Sequence, residues 1–201
     1  MITEKLIDQL NFDTIAEKIL NSTELLINEK RFRICEIEIY FRSENHNDEY
    51  THCNKDQSLF EKFYFHKYPN GTYKGGTYKG MDITFGKTTE EKNRYFGILI
   101  RSIYNIRDSE FIEGPCRVVN KILELNGHDN IRDMIGNRTL SIYNEKIVSI
   151  IHTDNLEFKN IYSGPRIGLS DKYPHYRNKK YRYVIYKNKI KKEKKKLELI
   201  I

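Results

Sequence analysis

The chain has 201 residues, 38% of them hydrophobic and 31% charged, with 35 basic and 28 acidic side chains for a formal charge of +7. That is long enough for one domain with a proper core. Three cysteines without paired spacing exclude a disulfide framework and suggest a reducing compartment. No apolar run approaches membrane-spanning length, and the N-terminus lacks the basic-then-apolar layout of a signal peptide, so an intracellular protein with no membrane partner is expected.

The charge is unevenly placed. Residues 187–201 carry seven Lys and two Glu, which leaves 28 basic against 26 acidic side chains in the body. A nucleic-acid partner therefore cannot be argued from bulk charge, only from where the charges sit. The expected division is one domain over residues 1–186 and a solvated, mobile Lys-rich tail over 187–201.

Phe12, Ile15, Ala16, Ile19 and Leu20 recur at helical spacing behind Asn11, a capping residue. A second short helical piece is expected through Leu25, Leu26 and Ile27. Residues 34–41 then alternate with a period of two, which predicts a strand with Cys35, Ile37, Ile39 and Phe41 on its buried face. Glu36, Glu38 and Tyr40 project together from the other face, roughly 6.6–7 Å apart, so one ligand could touch both carboxylates. An ordinary solvent face is the plain alternative for that row.

A polar loop follows through residue 53. Its His46, Asp48, His52 and Cys53 have the chemistry of metal ligands, but no recognised zinc spacing supports a metal site. Leu59, Phe60, Phe63 and Tyr64 suggest a short helix or buried strand. The pentapeptide Gly-Thr-Tyr-Lys-Gly then occurs twice without a gap, at residues 71–75 and 76–80. Each copy supplies an aromatic face and a cation (Tyr73 and Lys74, then Tyr78 and Lys79), the ingredients of a surface that stacks bases and neutralises phosphates. A glycine-bent hairpin with exposed side chains is the alternative.

Residues 95–104 form the most apolar run and predict a central strand, with Arg101 as the member that needs a carboxylate partner. Gly114-Pro115 reads as a helix start, Val118, Val119, Ile122 and Leu123 as its buried face, and Gly127 as its stop. Strands are expected near residues 139–143 and 146–151, a turn entering a short strand at 163–168, and a last alternating strand at 181–186. Strands outnumber helices and their connections vary. This predicts an α+β fold, a single mixed domain with a curved, largely antiparallel sheet flanked by helices.

The order of these motifs resembles the alkyladenine (3-methyladenine) DNA glycosylase family. The likeness rests on Glu36-x-Glu38-x-Tyr40 with the loop His52, Lys79-Gly80-Met81, Leu99-Ile100-Arg101-Ser102, Glu113-Gly114-Pro115, Arg166-Ile167-Gly168 and Tyr181-Arg182-Tyr183-Val184, six segments in the same order over residues 12–186. The resemblance implies a monofunctional hydrolase that acts as a monomer on double-stranded DNA without metal, cofactor or Schiff base. Glu38 would be the general base that activates a water. Tyr40 and His52 would hold an everted base, with Gly76 and Arg101 also at the pocket. Tyr73, Lys74, Tyr78, Lys79 and Arg166 would contact the DNA, and Lys79 or Tyr78 would fill the gap left in the duplex.

Two departures matter: Gly76 stands where the family has a pocket tyrosine, and Gly86 where it has an asparagine. Both suggest an enlarged cavity and a bulkier base, such as a hypermodified base in foreign DNA. The main alternative is a non-catalytic DNA-binding module that has kept the fold. A glycosidase acting on a free nucleoside or sugar would leave the Tyr/Lys hairpin and the Lys tail idle, and a bifunctional lyase using Lys74 or Lys79 is a further alternative, since a desolvated lysine can become nucleophilic.

Overall fold

A computed structural model describes residues 2–89 and 93–200. Helices α1 (Glu4–Asp8) and α2 (Phe12–Ser22) lead into strands β1 (Thr23–Ile27), β2 (Lys30–Ser43) and β3 (His46–Asn47). Next come β4 (Phe60–Phe65), β5 (Met81–Phe85), β6 (Lys87–Thr88), β7 (Asn93–Asn105) and β8 (Glu110–Glu113). Helices α3 (Pro115–Leu125) and α4 (Ile131–Ile135) precede β9 (Leu140–Ser141), β10 (Val148–His152), β11 (Tyr162–Gly164), α5 (Pro174–Arg177), β12 (Arg182–Val184) and β13 (Glu198–Leu199). The fold is α+β, and every pairing among the described strands is antiparallel.

The main path of the sheet runs β13-β11-β12-β2-β7-β5-β4-β9, with the long strands β2 and β7 at its centre. Residues alternate between faces. One face presents Cys35, Ile37, Ile39 and Phe41 of β2 with Ile83, Ile98 and Ile100, and joins the apolar sides of α2 and α3 in the core. Asn11 caps α2 by accepting from the Thr14 N–H at 3.1 Å, and Pro115 opens α3 where its missing N–H costs nothing.

The register puts Glu36, Glu38 and Tyr40 of β2, Arg182 of β12, Asp82 of β5 and Tyr64 of β4 on the opposite face. Two successive register shifts between β2 and β7, the first passing over Cys35 and the second over Arg101, let Arg101 turn toward the same carboxylates. That face is buried, not solvated: Glu36 is 1% and Glu38 0% exposed. It is covered by the loop after β11 and by the chain's last residues.

Three expectations are corrected. Leu25, Leu26 and Ile27 are strand β1, because the segment pairs on both sides, with β2 and with β10. The 163–168 segment is a strand that ends in a turn, the reverse of the expected order. The Lys-rich residues 187–201 are packed, not a loose extension. Ile190 and Leu197 are buried with Val184, β13 pairs with β11, and the N–H groups of Lys191 and Lys192 donate to the Glu113 carboxylate. Two apolar residues among the lysines supply an inner side, and the lysines keep to the outside.

Candidate functional site

Glu36 and Glu38 do different work. Glu36 accepts from Arg101 Nε at 3.2 Å, Arg182 Nε at 2.7 Å and the Ser102 hydroxyl. With a second Arg182 nitrogen donating to the Lys192 carbonyl at 2.9 Å, this cluster ties the C-terminal segment to the sheet. Glu36 is structural.

Glu38 is held by three different segments. Its Oε1 accepts from the Ile167 N–H at 2.7 Å and lies 3.4 Å from Arg101 Nη1, while its Oε2 accepts from the Tyr40 hydroxyl at 2.8 Å. Burial works against the charge on Arg101, but Glu38 and then Glu36 outweigh it and raise its pKa. Burial, then the Glu38 charge, push the Tyr40 phenol well above its usual value, so Tyr40 stays a donor.

Beyond Tyr40 lies a hollow of about 110 Å³ lined by Tyr40, Tyr50, His52, Gln57, His66, Asp82 and Leu169. At roughly 30 Å³ per water in the liquid, it has the volume of a few waters. Tyr40 is a wall of this hollow; Glu38 stands behind it. His66 Nε2 donates to Asp82 Oδ1 at 2.7 Å, and Gln57 Nε2 to Asp82 Oδ2 at 2.9 Å. Burial alone would raise the Asp82 carboxyl, but His66, His52 and Gln57 together lower it.

His52 meets His66 edge-on, with ring centroids 4.6 Å apart, and its Nε2 accepts from Lys74 Nζ at 3.2 Å. Desolvation by these walls, then His66, push its imidazole down to about 4, although one side stays open to solvent. His52 is therefore neutral near pH 7, and the Lys74 contact leaves the proton on Nδ1.

His52 is shared with a second cleft of about 800 Å³, whose walls include Lys55, Lys67, Tyr68, Tyr73 and Lys74. Leu169 is shared with a cleft of about 260 Å³ that Arg177 and Lys196 help to line. The hollow thus shares a wall residue with each of two clefts that carry cations.

The sequence-derived residues divide accordingly. Glu38, Tyr40, His52 and Arg101 come together, with Arg101 at the carboxylate and not at the hollow. Tyr73 and Lys74 line the large cleft. Tyr78 is 71% exposed and Lys79 half-buried, on and just after the short turn Gly76–Tyr78.

Gly76 is corrected: it lies on that exposed turn, accepting from Cys116 Sγ, and is no wall of the hollow. Arg166 is also corrected. Its side chain is fully enclosed, paired with Asp48 through two nitrogens at 2.6 and 2.9 Å, and stacked 4.4 Å from the Tyr40 ring centroid. It cannot meet a phosphate from there; it fixes the loop that brings Ile167 to Glu38. Nor does Gly86 enlarge the cavity, because a Cβ there would lie 2.1 Å from the Gln57 carbonyl, in space the backbone already fills.

The four side chains considered as metal ligands do not assemble. His46 is held by the Phe41 carbonyl and Tyr181, Asp48 by Arg166, and His52 by Lys74. Among the described residues no group of three or more His, Cys, Asp or Glu could hold a metal ion.

Gln57, His66 and Asp82 are absent from the sequence reading. For His66 a signal existed. Carrying the alternation of β4 one step past Phe65 puts it on the face of Tyr64, toward Tyr40.

No family model matches the sequence. A protein of Acanthamoeba polyphaga mimivirus, described as uncharacterized, is 44% identical over 208 aligned positions that cover 96% of each chain. The chain belongs to that viral protein's family. The match runs through nearly the whole chain, so membership rests on the sequence as a whole and not on any one motif of the site.

Proposed function

We propose that this protein is a monofunctional DNA N-glycosylase, with Glu38 as the general base. One observation carries the reading: strand β2, Arg101 of β7 and the Ile167 N–H, three of the segments on which the family resemblance rests, converge on a single buried carboxylate beside a small polar hollow. A base within a duplex is out of reach and has to be rotated into a pocket. In this reading the hollow takes the edge of that base, and two clefts that share a wall residue with it offer cations for the strand.

In this reading Arg101 and the Ile167 N–H hold Oε1 of Glu38, and Oε2, which also accepts from the Tyr40 hydroxyl, takes a proton from water through its second lone pair. The water oxygen attacks the anomeric carbon, the glycosidic bond breaks, and the base departs with the bonding pair. A carboxylate at this point also stabilises the cationic character of the sugar in the transition state. The chemistry calls for a carboxylate and a water and no cofactor. The substrate would be double-stranded DNA inside the cell, met by a monomer.

One observation favours the rival, a DNA-binding module without catalysis: Glu38 forms no wall of the hollow, and the Tyr40 hydroxyl occupies its second oxygen. Incubation with genomic DNAs of differing modification, followed by mass spectrometry of released bases, decides between them. Release by the wild type and none by Glu38→Gln, with duplex binding kept, supports the enzyme. Binding without release from any DNA supports the module.

A further inference from the structure

We propose that Gln57 reads the base that enters the hollow, and that the hollow selects bases presenting an N–H donor, an amino or lactam group, over rings stripped of one. This rests on the preceding reading only in taking a nucleobase as the occupant.

Gln57 belongs to the 3-10 turn Lys55–Ser58 and is 1% exposed. Its amide orientation is fixed. Asp82 offers only acceptors, so the nitrogen of Gln57 faces Oδ2, while Asp82 Oδ1 is taken by His66. That leaves Gln57 Oε1 buried and without a hydrogen-bond partner. Buried acceptors are almost always satisfied, and one left without a partner in a residue that lines a hollow marks a place for a ligand that donates to it.

The neighbouring wall adds a complementary group. With Nε2 of His52 engaged by Lys74, its Nδ1 carries the proton, so a residue that lines the hollow keeps one N–H donor beside the Gln57 acceptor. Flipped bases are read by such contacts to their hydrogen-bonding edges. Glycine at position 97 makes room for the arrangement, since a Cβ there would lie 2.4 Å from Asp82 Oδ2 and 2.8 Å from Gln57 Nε2.

The test uses the full-length protein and duplexes with one unpaired adenine, hypoxanthine or unsubstituted purine, the last having the same ring system without the donor. Wild type is expected to bind the first two about tenfold more tightly than the third, the ratio for a hydrogen bond of ordinary net worth. Equal affinity for all three overturns the proposal, whether the acceptor is met by a bound water or by nothing. Gln57→Met is expected to erase the preference, so that the variant binds the three duplexes alike; a preference that survives also overturns it. Should that variant fail to fold, the wild-type comparison stands alone.

Base release from the same duplexes separates the two claims. A donor preference in binding without any release sinks the enzyme and leaves the role of Gln57; release without a preference does the reverse. Failure to bind any duplex overturns both.

Discussion

The Tyr40 hydroxyl donates to Glu38 Oε2 at 2.8 Å, so the phenol that forms one wall of the hollow also anchors the carboxylate behind it. Removing that hydroxyl strands an acceptor with 0% exposure. Tyr40→Phe is expected to lower unfolding free energy by about 1–3 kcal/mol, the usual cost of an unsatisfied buried group. Urea denaturation measures it. An unchanged midpoint would mean that water replaces the hydroxyl and that Glu38 is more open than its burial indicates.

The pair Arg166–Asp48 makes a stronger demand. Both side chains are fully enclosed, and the arginine also donates to the Ile39 carbonyl at 3.1 Å. Asp48→Ala leaves an unpaired buried cation and should cost about 3–5 kcal/mol. It should also loosen the loop that carries Ile167 and Leu169, which faster amide exchange there would report. A loss of DNA affinity at intact stability would instead point to Arg166 as a phosphate contact.

The C-terminal segment separates stability from charge. Deleting residues 187–201 removes the buried Ile190 and Leu197, each worth about 1.5–3 kcal/mol, and should destabilise the whole domain. The exposed Lys192 and Lys195 are better probes of a DNA contact. Changing both to Gln should leave the melting temperature unchanged and, if both meet phosphates, lower the slope of log affinity against log salt by about 0.9 each. A slope that does not move makes these lysines solvating only.

Acid should act through His52. Its imidazole takes a proton near 6.5 in the unfolded chain and near 4 in the folded one. Between those values the unfolded state binds more protons, so stability falls as pH falls. The open side of His52 screens the effect and keeps it modest. His52→Gln should flatten that part of the stability–pH curve, followed by thermal melting across the window; a curve of unchanged shape would show that His52 titrates normally.

Much of this was legible in residues, and the limits have physical causes. Period two along residues 34–41 put Glu38 and Tyr40 on one face, and the apolar run with one arginine located the strand beside it. What pattern could not supply was which surface covers that face. Arg166 was expected at the DNA because the family resemblance put it there; its partner Asp48 lies 118 residues away, beyond the reach of any local pattern. The lysines at the end hid two apolar anchors, since a charge run reads as solvated whatever lies between. Gln57, in a polar loop, has no local signature at all. Its importance comes from three strands and a turn meeting in space.

Gly97 is the sharpest test of that meeting. It stands opposite Tyr40 in the register of β2 and β7, and opposite Thr84 in that of β5 and β7. A methyl group there would lie 2.4 Å from Asp82 Oδ2, closer than side-chain contacts allow. Gly97→Ala should therefore displace Asp82 and Gln57 from the strand and cost about 1–3 kcal/mol as overpacking. Because Asp82 also holds His66, the loss should extend to the hollow, and the His66 ring proton signals should shift in NMR spectra. A folded Gly97→Ala with unchanged His66 signals would show that Asp82 has somewhere else to go, and that the wall of the hollow is not the fixed constellation described here.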